Sequence, residues 1–419
     1  MNAYRIIIVC LLLADWLRHI VTESLNLRAA TPEAPADLAD IYEPGRYAQS
    51  QHYLRDNTRF DLLQSTFMLA LLLGFILMDG FAWLHRIAQQ TSNQMILQGL
   101  VFTGLLLLLG KLIGLPFSIY DTYVIEERYG FNRTTPQTFV LDLLKGLLLA
   151  IILGGAMLSL VLWIFDTIPY AWFGAWAALS IIQLVLLYIA PVVILPLFNK
   201  FTPLEDGELR AAIETYAHEQ KYHISGIFKI DGSRRSAKSN AYFTGFGNTK
   251  RIALYDTLID KHTTPELVAI LAHEAGHCRL GHITKTIAVS LLTSLLMFAL
   301  LAIAIDQPGL YAAFGLTDTP IYAGLIFFGF LYAPISMLLG IAGNHISRKH
   351  EYEADRFAAQ TTGCADDLIC ALKKLTEHNM GNLTPHPFKV FMEYSHPPLR
   401  ERIRALRQTD LHCRQAEVG

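Results

Sequence analysis

Seven stretches of the chain are apolar enough, and nearly long enough or longer, to cross a bilayer, whose hydrocarbon core needs roughly 20 mostly apolar helical residues. They run over 4–21, 62–84, 95–119, 139–165, 171–197, 284–305 and 321–341. The first is short and carries Asp15. Being apolar and N-terminal, it also admits a signal-peptide reading, but no small-x-small cleavage pattern follows, so a retained span is expected. Two stretches, 199–282 and 345–419, are mixed and charged instead, with no apolar run long enough to cross. They flank the sixth and seventh apolar stretches, so those spans are expected to bring the two polar segments together. The expected organisation is an N-terminal transmembrane region of five spans (1–198), a first polar part (199–283), spans six and seven (284–344) and a second polar part (345–419).

Within the first polar part, 226–230, 239–246 and 251–255 alternate as short strands, with Asp231-Gly232 and Gly247-Asn248 as turn signals between them. The predicted fold class is therefore mainly α: a polytopic membrane protein of about seven transmembrane helices, with a polar domain carrying a small β-sheet.

Composition agrees. Of the 419 residues, 53% are hydrophobic and 17% charged, against roughly 25% charged in soluble domains. A net charge of −2 gives no basic footprint for nucleic acid. The five cysteines (Cys10, Cys278, Cys364, Cys370, Cys413) show no CxxC spacing, which argues against a disulfide framework or a cysteine metal site. Charge asymmetry sets an orientation. The connection 306–320 has no Lys or Arg, whereas Lys200, Arg210, Lys221, Arg348 and Lys349 lie on the other side of spans six and seven. Cationic segments stay cytoplasmic, so the polar domain is expected there and the N-terminus outside. Arg28, Arg46, Arg55 and Arg59, after the first span, fit the same orientation.

Chemistry enters at His273-Glu274-Ala275-Gly276-His277. Thr264-Pro265-Glu266 reads as a helix start, with Thr264 as the cap, and Leu267, Ile270 and Leu271 supply an apolar face. His273 and His277, four apart, then project from one face and can share one zinc ion. Glu274 is placed to act on water rather than to ligate: zinc lowers the pKa of a bound water to about 7, and a neighbouring carboxylate can take its proton. With 15 histidines in the chain, an H-E-x-x-H arises by chance at roughly a few per cent, so a third ligand has to decide. His282 is five residues on with Gly281 before it, and the metzincin spacing fails. The better candidate is Ser347 to Asp355. On a continuing helix Glu351 and Asp355 share a face while Glu353 points away. Glu351 can ligate, and Asp355 can accept from the outer nitrogen of a ligand histidine. From spacing alone, a solvated charged helix at the membrane surface reads equally well.

Several ordered segments tip that balance: Val124-Ile125-Glu126-Glu127-Arg128-Tyr129-Gly130-Phe131-Asn132, Pro196-Leu197-Phe198-Asn199-Lys200-Phe201, Ser239-Asn240-Ala241-Tyr242-Phe243-Thr244-Gly245-Phe246, the HEXXH segment, Glu351 to Asp355, and Tyr394-Ser395-His396-Pro397-Pro398. Together they resemble the type I CAAX prenyl endopeptidases, multi-span membrane gluzincins that cleave after the prenylated cysteine of a C-terminal CaaX motif. The resemblance implies one zinc ion per chain, with Glu351 as third ligand and Asp355 behind a ligand histidine. It implies a strand edge at Asn240, Ala241 and Tyr242 that holds the substrate backbone. It also places His396 and Arg402 near the reacting carbonyl, where either can stabilise an oxyanion. Spans that enclose a chamber, with the site at its cytoplasmic end, are implied as well. The partners are then a peptide or protein substrate, prenylated or not, and the lipid bilayer. One departure is visible: Lys238 stands where the family often has His. A housekeeping membrane protease acting on unprenylated or misfolded peptides is the rival within the enzyme class. A transporter or channel with a structural zinc is the rival outside it, though a closed site needs a fourth ligand and none is evident.

Overall fold

A computed structural model of the chain describes residues 2–43, 45–222, 224–244 and 250–418, with side chains outside 241–250 and 410–418. In chain order the main helices are α1 (Ala3–Ala29), α2 (Arg46–Leu77), α3 (Gly80–Thr91), α4 (Met95–Glu126), α5 (Pro136–Thr167), α6 (Ala171–Phe198), α7 (Glu208–Glu219), α8 (Thr264–Arg279), α9 (His282–Ile305), α10 (Ile321–Thr362), α11 (Ala365–His378), α12 (Pro387–Glu393) and α13 (Leu399–Val418). The strands are β1 (Phe201–Pro203), β2 (Ile224–Ile230), β3 (Ala241–Thr244) and β4 (Lys250–Tyr255).

Among the described residues six helices (α2, α4, α5, α6, α9 and α10) are long and apolar enough to cross a membrane, one fewer than the seven apolar stretches of the sequence. The difference is α1, a 27-residue helix whose apolar run is interrupted by Arg5, Asp15 and Arg18. Those charges are paired, Arg5 with Asp79 at 2.7 Å and Arg18 with Asp15 at 3.0 Å. The second expected span, 62–84, is split: α2 ends at Leu77, Asp79 takes a left-handed turn (φ 55°), and α3 begins at Gly80. At most 17% of any of the six apolar windows is buried inside the protein. Their exposed residues, such as Leu107, Ile151, Ile181 and Leu292, therefore need hydrocarbon rather than water around them.

Length positions the site. At 1.5 Å per residue the 42 residues of α10 run roughly 63 Å, about twice the hydrocarbon thickness. The apolar first half spans, and the polar second half continues without a break to Glu351 and Asp355. The aromatic cluster of Phe81, Phe102, Tyr311, Phe314, Tyr322 and Phe327 packs the opposite end of the bundle.

The sheet order is β1-β2-β4-β3, with β2 and β4 parallel and the other pairs antiparallel. β1 is a strand the sequence pattern did not suggest. β2 pairs with β4 rather than β3 because the segment between β2 and β3 leaves the sheet to meet the membrane region. Ser236 bridges Asn132, Ala237 N–H donates to Phe131 O (2.9 Å), and Arg235 clasps Asp142 at 2.7 and 3.0 Å. β3 is left at the sheet edge and lies against α8. The expected turn at Gly247-Asn248 and the end of the expected strand at Gly245-Phe246 fall outside the described residues.

Candidate metal centre

The helix carrying the histidines starts one residue earlier than the sequence suggested. Thr263, not Thr264, is the cap, in a capping box in which Thr263 N–H donates to Glu266 Oε2 at 2.9 Å. Lys374 pairs with the same carboxylate at 2.8 Å. Buried Ala269, Ala272 and Ala275 on α8 and Ala358 and Ala359 on α10 share one core. Between them Gly276 faces Ala354. A Cβ at 276 would meet the Ala354 Cα at 3.2 Å and its carbonyl oxygen at 3.3 Å. The glycine of the motif thus permits the close crossing that brings Glu351 under the histidines. α8 ends at Arg279 with Leu280 as its cap, and Gly281 (φ 70°), in the left-handed region that glycine adopts without strain, turns the chain into α9.

Three side chains converge. His273 Nε2 and His277 Nε2 are 3.2 Å apart, His273 Nε2 is 3.4 Å from Glu351 Oε2, and His277 Nε2 is 3.3 Å from Glu351 Oε1. Donors about 2.0–2.1 Å from a tetrahedral zinc are separated by about 3.3–3.4 Å, so the three edges fit a shared cation. Glu351 Oε2 is buried and has no hydrogen-bond partner among the described residues. Arg402 Nη1 lies 3.5 Å from it, and a cation among the three converging side chains would satisfy it more closely. Two imidazole nitrogens and a carboxylate are a borderline donor set suited to zinc. His273 is buried, which on its own lowers its pKa; the neighbouring carboxylates of Asp355 and Glu351 outweigh this and raise it to about 9. An environment that stabilises a proton on that ring also stabilises a divalent cation beside it.

Behind the ligand atoms, Asp355 Oδ1 is 2.9 Å from His273 Nδ1. Asp355 also accepts from Arg402 Nε (2.8 Å) and Nη2 (2.6 Å). Arg402 Nη1 is 3.5 Å from Glu351 Oε2. The family resemblance implies Arg402, with His396, near the oxyanion. Two of its three nitrogens donate to Asp355, and its side chain is 10% exposed. His396 is different: its side chain is 64% exposed at the mouth of the site, with Nε2 3.4 Å from Glu351 Oε1. Arg348, one turn before Glu351, donates to Val390 O (3.1 Å) and Tyr394 O (2.5 Å), which holds α12 and the Ser395-His396 turn against α10. Glu274 is half-buried and close enough to Arg402 to add to the negative field around it.

Asn240 is exposed just before β3, and its carbonyl accepts from Tyr255 N–H at 3.3 Å. The side chains of Ala241 and Tyr242 lie outside the described residues, but their backbone pairs with Leu254 and Ala253. Lys238 is engaged away from the cation position. It pairs with Glu126 (2.9 Å), donates to the Tyr53 hydroxyl (2.8 Å) and sits 4.7 Å over the Phe131 ring. The sequence pattern did not reveal Arg348 or the braces on Lys238. Their partners are 42 or more residues away in the chain, beyond any local periodicity. A second group, His19, Glu23 and Glu393, gathers its atoms within 4.8 Å. Its carboxylates are already neutralised by Lys389 and Arg18, so it is read as an ion-pair cluster. Among the described residues Cys10, Cys364 and Cys370 are free thiols.

Two family profiles cover nearly the whole chain: "CAAX prenyl protease N-terminal, five membrane helices" over residues 24–200, and "Peptidase family M48" over residues 203–410. The chain is 37% identical to an Arabidopsis thaliana CAAX prenyl protease 1 homolog over 403 residues (93% of this chain, 94% of the relative). It is 36% identical to the Saccharomyces cerevisiae CAAX prenyl protease 1 over 400 residues (89% and 88%). The human homolog is 32% identical (95% and 93%). Among solved structures, the crystal structure of S. mikatae Ste24p superposes with a TM-score of 0.92 at 34% identity, covering 97% of this chain and 99% of that one.

Proposed function

The chain belongs to the CAAX prenyl protease 1 branch of peptidase family M48, multi-pass membrane metalloendopeptidases, and from that premise we propose that it is zinc-dependent and removes the C-terminal tripeptide of prenylated CaaX proteins. The observation that carries the reading is the convergence of His273, His277 and Glu351, with edges of 3.2–3.4 Å, beside Glu274 and a strand edge.

In this reading His273, His277 and Glu351 would hold one zinc ion, which would supply Lewis-acid polarisation of the scissile carbonyl and of the attacking water. Glu274 takes the proton of that water and delivers it to the leaving amine. His396, exposed at the mouth, donates to the oxyanion as negative charge develops. Asp355 holds the Nδ1 proton of His273 and so keeps its Nε2 aimed at the cation, while Arg402 neutralises Asp355 and Glu351 from below. The backbone from Asn240 through Ala241 and Tyr242 adds the peptide as a further strand on β3. The membrane region (1–198) faces a peptidase domain built from 199–283 and 345–419, with α9 and α10 between. The Lys- and Arg-free connection 306–320, opposite Lys200, Arg210, Lys221, Arg348 and Lys349, supports a cytoplasmic site.

The test is to offer purified, zinc-loaded protein in detergent a farnesylated CaaX peptide and its unprenylated twin. Preferential release of the tripeptide from the farnesylated peptide is expected. Equal turnover of both would overturn the prenyl assignment, and turnover of neither would overturn the peptidase mechanism.

A further inference from the structure

His282 fails the spacing test for a ligand, and Glu353 sits two residues from Glu351 on a flank expected to point away. The structure nevertheless joins them at the metal site. His282 opens α9 just after the Gly281 turn and is 2% exposed. Its Nδ1 lies 3.1 Å from Nδ1 of His277, and its Nε2 lies 3.0 Å from Glu353 Oε2. The His350 ring stacks on it, with centroids 4.0 Å apart and planes 9° from parallel, which fixes the ring plane.

The proton positions follow from the donors and acceptors. An ionised carboxylate only accepts, so the nitrogen facing Glu353 carries the hydrogen: His282 is protonated at Nε2. A neutral His282 then presents a bare Nδ1, and the nitrogen opposite it, Nδ1 of His277, has to be the N–H. That leaves the lone pair of His277 on Nε2, the atom that faces His273 Nε2 and Glu351. The opposite tautomer would direct a hydrogen at the cation position.

We propose that His282 and Glu353 are the positioning residues of His277, doing through two links what Asp355 does for His273 directly. The inference rests on the metal reading of the proposed function and names a further part of the same site. A ligand histidine whose outer nitrogen lacks its partner typically binds metal 10–100-fold more weakly.

The experiment measures zinc affinity of the full-length protein in detergent by competition with a chromogenic chelator, and the visible spectrum of the cobalt-loaded protein. Neither readout depends on turnover. His282→Leu keeps bulk but removes the acceptor, and about 10–100-fold weaker zinc binding with an altered cobalt spectrum is expected. His282→Gln, whose amide oxygen can still accept from His277, should recover part of the loss. Glu353→Ala should weaken binding in the same direction, and the Glu353→Ala/His282→Leu pair should be no weaker than His282→Leu alone, because the two act in series. Should His282→Leu misfold by circular dichroism, Glu353→Ala carries the test, since its carboxylate is one-third exposed. Unchanged zinc affinity and cobalt spectrum in the folded variants would overturn the inference alone. Failure of the wild type to bind any divalent cation would overturn the metal reading beneath it.

Discussion

Removing Arg402 tests how the site is held. Its guanidinium makes a two-pronged contact with Asp355, at 2.8 and 2.6 Å, and approaches Glu351 at 3.5 Å, with all three residues buried. A single charge pair near 4 Å is worth about 4 kcal/mol at an effective dielectric of 20. Breaking a buried pair by deleting one partner typically costs 3–5 kcal/mol. Asp355 keeps His273 as a second partner, so Arg402→Met is expected at the low end, about 3 kcal/mol. That corresponds to a fall in unfolding midpoint of roughly 3 °C for a chain of 419 residues. The assay is thermal unfolding of zinc-loaded protein in detergent, with the metal content measured in parallel. Arg402→Lys keeps the charge but loses the fork and should fall in between. The double variant Arg402→Met/Asp355→Asn removes both charges and should lose less than the sum of the single losses, with a coupling of about 1–3 kcal/mol. An Arg402→Met protein with the wild-type midpoint and metal content but a collapsed kcat would refute the brace and return Arg402 to the oxyanion.

Other expectations follow from the same geometry. Glu274→Gln should retain zinc at wild-type stoichiometry and lose peptide cleavage by 10²-fold or more; turnover at the wild-type rate would remove Glu274 as the base. Gly276→Ala gains helix propensity of about 1 kcal/mol but presses a methyl onto Ala354 backbone at 3.2 Å. A net loss of roughly 1–2 kcal/mol is expected, and a stabilised variant would show the crossing has slack. Lys238→Met should raise KM several-fold at unchanged zinc content, because the start of the β3 segment loses its ties to Glu126 and Phe131, with Lys238→Arg restoring most of it. Kinetics with one fluorogenic peptide settle this. Burial, together with Lys261 and His262 nearby, lowers the His378 pKa to about 4. The unfolded chain protonates this residue near 6.5. Its contribution to stability is therefore full above about pH 6.5 and is lost as pH falls toward 4. The midpoint of His378→Gln should decline less between pH 7 and 5 than that of the wild type.

Legible along the chain were the membrane class, the helix that bears His273, Glu274 and His277, and the shared helix face of Glu351 and Asp355. These features are written in local periodicity. Apolar runs set the spans, and 3.6 residues per turn sets which side chains share a face. The family resemblance was legible for a related reason, since its motifs are short runs that hold their spacing along the chain. The rest came from contacts between distant segments. They divided the second apolar stretch at Asp79 and left α1 with charges that need partners. They paired β2 with β4, because the segment carrying Arg235 and Ala237 is drawn out to the membrane region. They turned Arg402 under the carboxylates, and joined His282 to Glu353 across 71 residues. Hydrogen bonds and ion pairs act over about 3 Å in space and place no demand on separation along the chain, so no reading of spacing could assign them.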